Sequence, residues 1–184
     1  MSDPGDLNAF LAEAWQHLRR GAADAKSPAR YPVFATVSPE GVPEARTVAL
    51  RRASPTGAIL EVHTDTETPK VTALRAQPVA ALHVWLPRAR LQIRVTAEVE
   101  ILTGAAVAEA WEQVPPRSRV SYGTEPLPGQ PIENVHAYEK PPNRDRFAVL
   151  RCHATHIDLV HLDDVHRRAG YIRDDAWQGQ WLAP

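Results

Sequence analysis

The stretch Glu44-Ala45-Arg46-Thr47-Val48-Ala49-Leu50-Arg51-Arg52 carries more information than any other part of this chain. It is a strand-like run with fixed positive charges, and His63-Thr64-Asp65 and Thr68-Pro69-Lys70 follow it downstream. A guanidinium fork and an ammonium group contribute charge to anion binding, and hydroxyl groups add directed hydrogen bonds. The pattern therefore predicts a phosphorylated ligand whose terminal phosphate is held by four side chains: Arg46, Thr64, Thr68 and Lys70.

Two of the three arginines in this stretch, Arg46 and Arg51, have different expected roles. Arg46 and Arg51 are five residues apart, so regular strand alternation would direct them to opposite faces. One cation would then hold a phosphate and the other a different part of the ligand. The alternative is an edge strand whose arginines are merely solvated. Lys70 follows a proline near the start of a predicted helix, where free backbone N–H groups also favour an anion.

The surrounding sequence alternates mainly with the period of a β-strand. Apolar residues at three- and four-residue spacing predict a first helix within residues 1–26, and further helices are predicted at Thr68–Ala76 and 105–114. Runs of period two, separated by Pro- and Gly-containing turns, predict the strands. They cover Pro32–Val37, Pro43–Arg52, Ala58–Thr64, Val79–Trp85, Leu91–Leu102, a part of Phe147–Leu162, Tyr171–Arg173 and Trp177–Trp181.

Many strands with few helices indicate a mainly β protein. A parallel sheet would need a helical crossover after each strand, so the order of elements favours an antiparallel barrel or sandwich with flanking helices. At 184 residues the chain is long enough for one domain with a sizeable core. Residues 115–140 are too rich in proline for regular structure, and we expect an ordered loop with short helices there.

Composition argues against several functional classes. With 43% hydrophobic residues, 23% charged residues and a formal net charge of -1, the chain has no global attraction for nucleic acid, despite a local basic stripe at Arg88, Arg90 and Arg94. No run of about eighteen apolar residues occurs, so no membrane-spanning helix is predicted. Cys152 is the single cysteine, and residues 1–6 form an acidic start without a targeting segment. We expect a cytoplasmic protein.

Several other polar side chains could serve in binding or catalysis, but a purely structural role explains each of them equally well. The amide of Gln92 offers a donor and an acceptor that a flat heterocycle can use, but it also suits a solvent-facing sheet position. Cys152 lies in an apolar strand and is expected to be buried rather than nucleophilic. No metal site is predicted, because the spacing of four histidines matches no known ligand framework: His153, His156, His161 and His166.

The order of these motifs resembles the pyridoxamine 5'-phosphate oxidase family, whose members fold as six-stranded antiparallel split β-barrels that bind FMN. The similarity runs from about Tyr31 to Pro184 at consistent spacing. It is carried by Arg46 and Arg51, His63-Thr64-Asp65, Thr68-Pro69-Lys70, Gln77-Pro78, Trp85, Arg90-Leu91-Gln92, Ile157-Asp158-Leu159, His166-Arg167-Arg168 and Trp181-Leu182-Ala183-Pro184.

The resemblance implies a homodimer with FMN at the subunit interface and a small-molecule electron donor. Arg46 and Lys70 would hold the FMN phosphate with help from Thr64 and Thr68, and Gln92 would meet the flavin ring. His166 would lie on the substrate side. The full set of cofactor residues that the resemblance implies is Arg46, Thr47, Val48, Leu50, Arg51, His63, Thr64, Thr68, Lys70, Gln92 and Arg168.

Departures from the family pattern fall on the substrate side. Asp164 stands where the family has an arginine for the substrate phosphate, and the position of a second such arginine falls near Pro115. Phe147 stands roughly where a flavin-contacting tryptophan is expected, and Gln130 in the Pro-Gly loop is a further possible flavin contact. These features resemble a divergent FMN-binding branch that acts as an oxidoreductase. The alternatives are a non-enzymatic flavin-binding or stress-related protein, or a split barrel that binds haem or a deazaflavin.

Overall fold

Period-two alternation of buried and exposed residues runs through most of residues 5–184 and produces nine strands there. The structure, a computed structural model, describes residues 5–184; residues 1–4, which form most of the acidic start, lie outside the described part. The strands are β1 Val33–Val37, β2 Pro43–Thr47, β3 Leu50–Ser54, β4 Ile59–Asp65, β5 Val79–Leu86, β6 Leu91–Leu102, β7 Phe147–His161, β8 Arg167–Ile172 and β9 Gly179–Leu182.

The strands form one antiparallel sheet that curves without closing. Its main path runs β2-β1-β5-β6-β7-β4-β3, and the β8–β9 hairpin extends from β7. The two end strands of the path, β2 and β3, are joined by only Val48 and Ala49, so the two ends of the sheet must lie close together although they do not pair. The predicted mainly β, antiparallel split barrel is confirmed.

Within residues 5–184 the sheet has nine strands, whereas the resemblance implies six. The predicted strand Pro43–Arg52 is divided into two strands, β2 and β3. The interruption has a local cause. The backbone N–H of Val48 donates to the carbonyl of Pro32 at 3.1 Å, outside the strand ladder, while the chain crosses from one end of the sheet to the other. Further along the chain, the predicted strands at 171–173 and 177–181 become β8 and β9, which pair with each other.

The main core lies between the inner face of the sheet and helix α1 (Leu7–Ala23). Asp6 caps this helix by accepting hydrogen bonds from the N–H groups of Asn8 and Ala9. Its apolar stripe, which includes Phe10, Trp15 and Leu18, is buried against the sheet. Cys152 is fully buried in β7, and burial raises the pKa of its thiol to about 12, so it is no nucleophile near neutral pH.

A second cluster covers part of the outer face of the sheet. After β6 the chain forms a 3₁₀ turn at Gly104–Val107 and then helices α3 (Ala108–Gln113) and α4 (Pro116–Arg119). Trp111, Tyr122 and Phe147 pack edge to face or tilted, with centroid separations of 4.9 to 6.1 Å. Phe147 is completely buried here. Phe147 therefore packs against protein side chains at the position where the family pattern has a tryptophan.

The proline-rich segment is largely irregular, as predicted, but it is anchored. We call residues 123–139 the strap. An isolated bridge joins Glu125 to Glu139, and a side chain at Gly129 would contact the ring of Pro69 in helix α2 (Pro69–Ala76), so the strap passes beside that helix. Within residues 5–184, no helix has both the length and the apolar character needed to cross a membrane.

Candidate cofactor site

Three of the four predicted phosphate ligands form one hydrogen-bonded cluster at the start of α2. The Lys70 ammonium donates to the hydroxyl oxygen of Thr64 at 3.0 Å, and the Thr64 and Thr68 hydroxyls are 3.2 Å apart. Thr68 also donates to the carbonyl of Asp65 at 2.8 Å instead of capping the helix. The loop between β4 and α2 therefore holds two hydroxyls and an ammonium group together, as predicted.

Arg46 lies on the inner side of β2, opposite the buried Phe34 of β1. Its guanidinium donates to the Thr36 hydroxyl and to the Glu44 carboxylate, both at 2.7 Å. These contacts fix its orientation but use only some of its five N–H donors. We call Arg46, Thr64, Thr68 and Lys70 the Lys70 cluster.

The charge of Lys70 is poorly compensated. Its pKa is lowered, first because burial penalises the ammonium form and second because the Arg46 guanidinium repels it; Asp65 opposes both effects. Within the described residues Lys70 forms no ion pair, and Thr64 is its one hydrogen-bond partner. Two cations in electrostatic range of each other, both half-buried, form a site that a phosphate group would stabilise.

The predicted contacts Thr47, Val48 and Leu50 lie where the chain crosses between the two ends of the sheet. Thr47 is exposed at the end of β2, Val48 is half-buried against the core, and Leu50 is completely buried. The Leu50 carbonyl accepts a 2.8 Å hydrogen bond from Arg30. This crossing is fixed at its Val48 and Leu50 ends, so its backbone can form a rigid wall beside a ligand.

Gln92 and Arg168 lie on the outer face of the sheet, in one cross-strand row. Trp85 pairs with Gln92, Gln92 with Val160, and Val160 with Arg168. The Gln92 side-chain oxygen is 3.2 Å from the His83 ring nitrogen. Within the described residues, no hydrogen bond or ion pair joins this outer row to the Lys70 cluster. One chain does not bring all predicted ligands together.

Asp158 links the arginines of the outer face. Its Oδ2 accepts from Arg168 at 2.9 Å and lies 3.1 Å from Arg94, while its Oδ1 is buried without a hydrogen-bond partner among the described residues. His166, predicted on the substrate side, is exposed in the turn between β7 and β8. Asp164 is exposed in the same turn, so this turn presents no cation for a substrate phosphate at the position where the family pattern has arginine.

Arg51 and His63 lie elsewhere, on the outer side of β3 and β4. They line a cavity of about 530 Å³ below α3 together with Arg30, Arg52 and Arg151. We call this space the arginine cavity. Arg46 and Arg51 thus lie at different places, and the reason is the interruption after Thr47 and not regular alternation. Sequence reasoning missed Arg30 and Arg151 because no motif marks them.

Sequence reasoning also missed a buried ion pair beneath the strap. Arg146 donates through Nε to Asp65 at 3.1 Å, and a second guanidinium nitrogen lies 2.8 Å from the same carboxylate. Arg146 also contacts Glu125 at 2.8 Å and the Thr124 carbonyl at 3.0 Å. Asp65 directly follows Thr64, so this ion pair connects the strap to the loop that forms the Lys70 cluster.

We expect His63 to make the protein sensitive to mild acid. Burial, followed by repulsion from Arg51 and Arg30, lowers the pKa of His63 from 6.5 to about 4. Between these values the unfolded chain binds more protons than the folded one, so stability falls as the pH is lowered from 6.5 to 4. After allowance for partial exposure, the loss is on the order of 1 to 2 kcal/mol.

Urea unfolding at pH 7 and pH 4.5 measures this effect. The His63→Gln variant, which cannot titrate, should lose less stability over the same interval. Equal losses in the two proteins would show that His63 is not the group responsible.

The sequence profile of the family described as "Pyridoxamine 5'-phosphate oxidase, FMN-binding domain" matches residues 12–103, which is half of the chain. A pyridoxine/pyridoxamine 5'-phosphate oxidase of Myxococcus xanthus is 29% identical over 168 residues, covering 83% of this chain and 80% of the relative.

Two solved structures extend the comparison. A pyridoxamine 5'-phosphate oxidase-related, FMN-binding protein of Nostoc punctiforme superposes with a TM-score of 0.78 at 25% identity, over 100% of both chains. PhzG of Burkholderia lata superposes with a TM-score of 0.72 at 20% identity, over 99% of this chain and 95% of that one, which shows a shared fold. The chain belongs to the pyridoxamine 5'-phosphate oxidase FMN-binding domain family.

Proposed function

We propose that this protein binds FMN through the Lys70 cluster and acts as an FMN-dependent oxidoreductase with a small-molecule electron donor. The observation that carries the proposal is a half-buried Lys70 hydrogen-bonded to Thr64 beside Thr68, within electrostatic range of the Arg46 guanidinium. The donor set fits a phosphate: Lys70 has further N–H donors beyond the one that Thr64 accepts, and α2 begins at Pro69, where a helix favours an anion.

The second half of the proposed site would come from another copy of the chain. Gln92 and Arg168 share the outer face with several exposed apolar side chains, Val33, Val37, Val79 and Trp85, which are 37% to 41% exposed. A surface of this kind supports burial against a partner. We propose a homodimer in which the outer row of one subunit meets the flavin ring held by the other.

The protein's own groups would anchor and orient the cofactor. When bound, FMN supplies the redox chemistry at its own ring. The Gln92 amide offers both a donor and an acceptor to a heterocycle, and Asp158 fixes the Arg168 guanidinium on the same face. Because Asp164 lies exposed in the β7–β8 turn where the family pattern has an arginine, we propose a donor other than pyridoxamine phosphate.

Titration of flavin-free protein with FMN tests the cofactor assignment. We expect saturable quenching of flavin fluorescence with one FMN per chain, and sedimentation as a dimer. The Trp85→Glu substitution should weaken dimerisation and FMN binding together, since it places charge in the proposed interface. A protein that binds no FMN would contradict the cofactor assignment. A protein that binds FMN equally well as a monomer would contradict the dimeric site.

A non-enzymatic flavin-binding protein differs from an oxidoreductase in its kinetics. Anaerobic mixing of the FMN-loaded protein with candidate amines or NAD(P)H should give saturable flavin reduction if the protein is an enzyme. Reduction whose rate rises linearly with every donor would instead support a carrier. Competition by haem or a deazaflavin that displaces FMN completely would favour the third alternative.

A further inference from the structure

Asp65 belongs to the same short loop as the Lys70 cluster. Its backbone carbonyl accepts a hydrogen bond from the Thr68 hydroxyl at 2.8 Å, and it directly follows Thr64, whose hydroxyl oxygen accepts from Lys70. The Asp65 carboxylate attracts the ammonium group electrostatically, whereas Arg46 repels it. An aspartate at this position could therefore neutralise the charge that a bound phosphate requires.

The Asp65 carboxylate is nevertheless occupied by other partners. Its Oδ1 accepts from Arg146 Nε at 3.1 Å and from the Glu67 N–H at 2.8 Å. Its Oδ2 accepts from the Gly123 N–H at 2.8 Å and lies 2.8 Å from a second nitrogen of Arg146. Within residues 5–184 no ion pair joins Asp65 to Lys70. Arg146 is thus the cation that balances this carboxylate.

Burial makes the choice of counter-ion important for the neighbouring site. The side chains of Asp65 and Arg146 are both inaccessible enough that water and salt screen their charges only weakly. Without the guanidinium, the carboxylate would attract the Lys70 ammonium and would repel an anion bound beside it. Both effects would weaken phosphate binding, although Arg146 itself has no contact with the Lys70 cluster within the described residues.

We propose that Arg146 is a positioning residue of the cofactor site: by pairing with Asp65, it leaves the Lys70 ammonium available for the phosphate group of FMN. This inference rests on the proposed function, because it concerns the anion that the Lys70 cluster binds. Arg146 also contacts Glu125 and the Thr124 carbonyl, so the same guanidinium holds one end of the strap. A test must therefore separate its charge from its anchoring contacts.

Binding of FMN and of inorganic phosphate to the flavin-free protein tests the proposal. Fluorescence quenching follows FMN binding, and calorimetry follows phosphate binding. Arg146→Ala should weaken both about tenfold, because the unpaired carboxylate competes for Lys70. The matched control Arg144→Ala, at an exposed arginine of the same 3₁₀ turn, should bind both ligands as the wild type does.

Two further variants separate charge from structure. Arg146→Lys keeps the positive charge but lacks the planar fork that reaches Glu125 and Thr124. It should bind FMN within about threefold of the wild type, while the strap becomes more sensitive to protease. The double variant Asp65→Asn/Arg146→Ala has neither charge, so its affinity should also return to within about threefold of the wild type.

These two variants keep the proposal testable even if Arg146→Ala does not fold. If either of them binds FMN and phosphate about tenfold more weakly than the wild type, the role of Arg146 is structural and the proposal is wrong. Unchanged affinity in a folded Arg146→Ala would also refute it, while the FMN assignment would stand. A wild-type protein that binds neither FMN nor phosphate would instead remove the proposed function, and this inference with it.

Discussion

Replacement of Arg146 by alanine is expected to lower the free energy of unfolding by about 3 to 5 kcal/mol. The side chains of Arg146 and Asp65 are 10% and 3% exposed, so the substitution leaves a buried carboxylate without its counter-ion. The backbone N–H groups of Gly123 and Glu67 still donate to Asp65, each at 2.8 Å, but they carry no compensating charge. Urea unfolding of the two proteins measures the loss.

Arg144 provides the matched control. It lies two residues away in the same short 3₁₀ turn and is exposed, so Arg144→Ala should change stability by less than about 0.5 kcal/mol. Limited proteolysis adds an independent measurement. Because Arg146 also holds Thr124 and Glu125, its loss should expose the strap to cleavage. A loss of stability below about 1 kcal/mol with an uncleaved strap would refute the anchoring role.

The Lys70→Gln substitution should weaken FMN binding by about 1.5 to 3 kcal/mol, which is roughly 10- to 150-fold. The flavin-free protein should respond in the opposite direction. The pKa of Lys70 is lowered from 10.5 in the folded chain, so its charge opposes folding at neutral pH, and this penalty is lost as the pH rises from the lowered value to 10.5. We therefore expect the flavin-free variant to be at least as stable as the wild type.

FMN fluorescence titration and thermal unfolding of the flavin-free protein together measure these effects. Lys26→Gln, at an exposed lysine, should change neither. If the flavin-free variant also loses stability, by as many kcal/mol as it loses in FMN binding free energy, then Lys70 has a structural role. Unchanged affinity would remove the assignment of the phosphate to this cluster.

The sequence was sufficient to predict the elements that depend on local pattern. In β6, Leu91, Ile93 and Val95 are buried and Arg94 is exposed, as period two predicts. Thr64, Thr68 and Lys70 are close because a strand end, a short loop and a helix start lie within seven residues of sequence. The proximity of Arg46 to Lys70 could be predicted only from the family resemblance. No local sequence rule brings a residue of β2 into electrostatic range of a residue of α2.

The remaining features depend on partners distant in sequence. Asp65 and Arg146 are 81 residues apart, and Glu61 and Arg151 are 90 residues apart. Alternation assigns each residue to a face of its strand, but it does not say which strand is adjacent or what covers the face. For the same reason the sequence could not place Phe147 beneath α3, because that position depends on the register of β4 with β7.

Because the sheet does not close, its two end strands can change in sequence more freely than its central strands. Strands β2 and β3, which carry Arg46 and Arg51, each have a single neighbouring strand, whereas β5, β6 and β7 are paired on both sides. Replacing residues on the terminal strands disturbs few backbone hydrogen bonds and little of the interior. Selection can therefore exchange the chemistry of the ligand sites while the central strands preserve foldability, and relatives with one architecture can come to recognise different molecules.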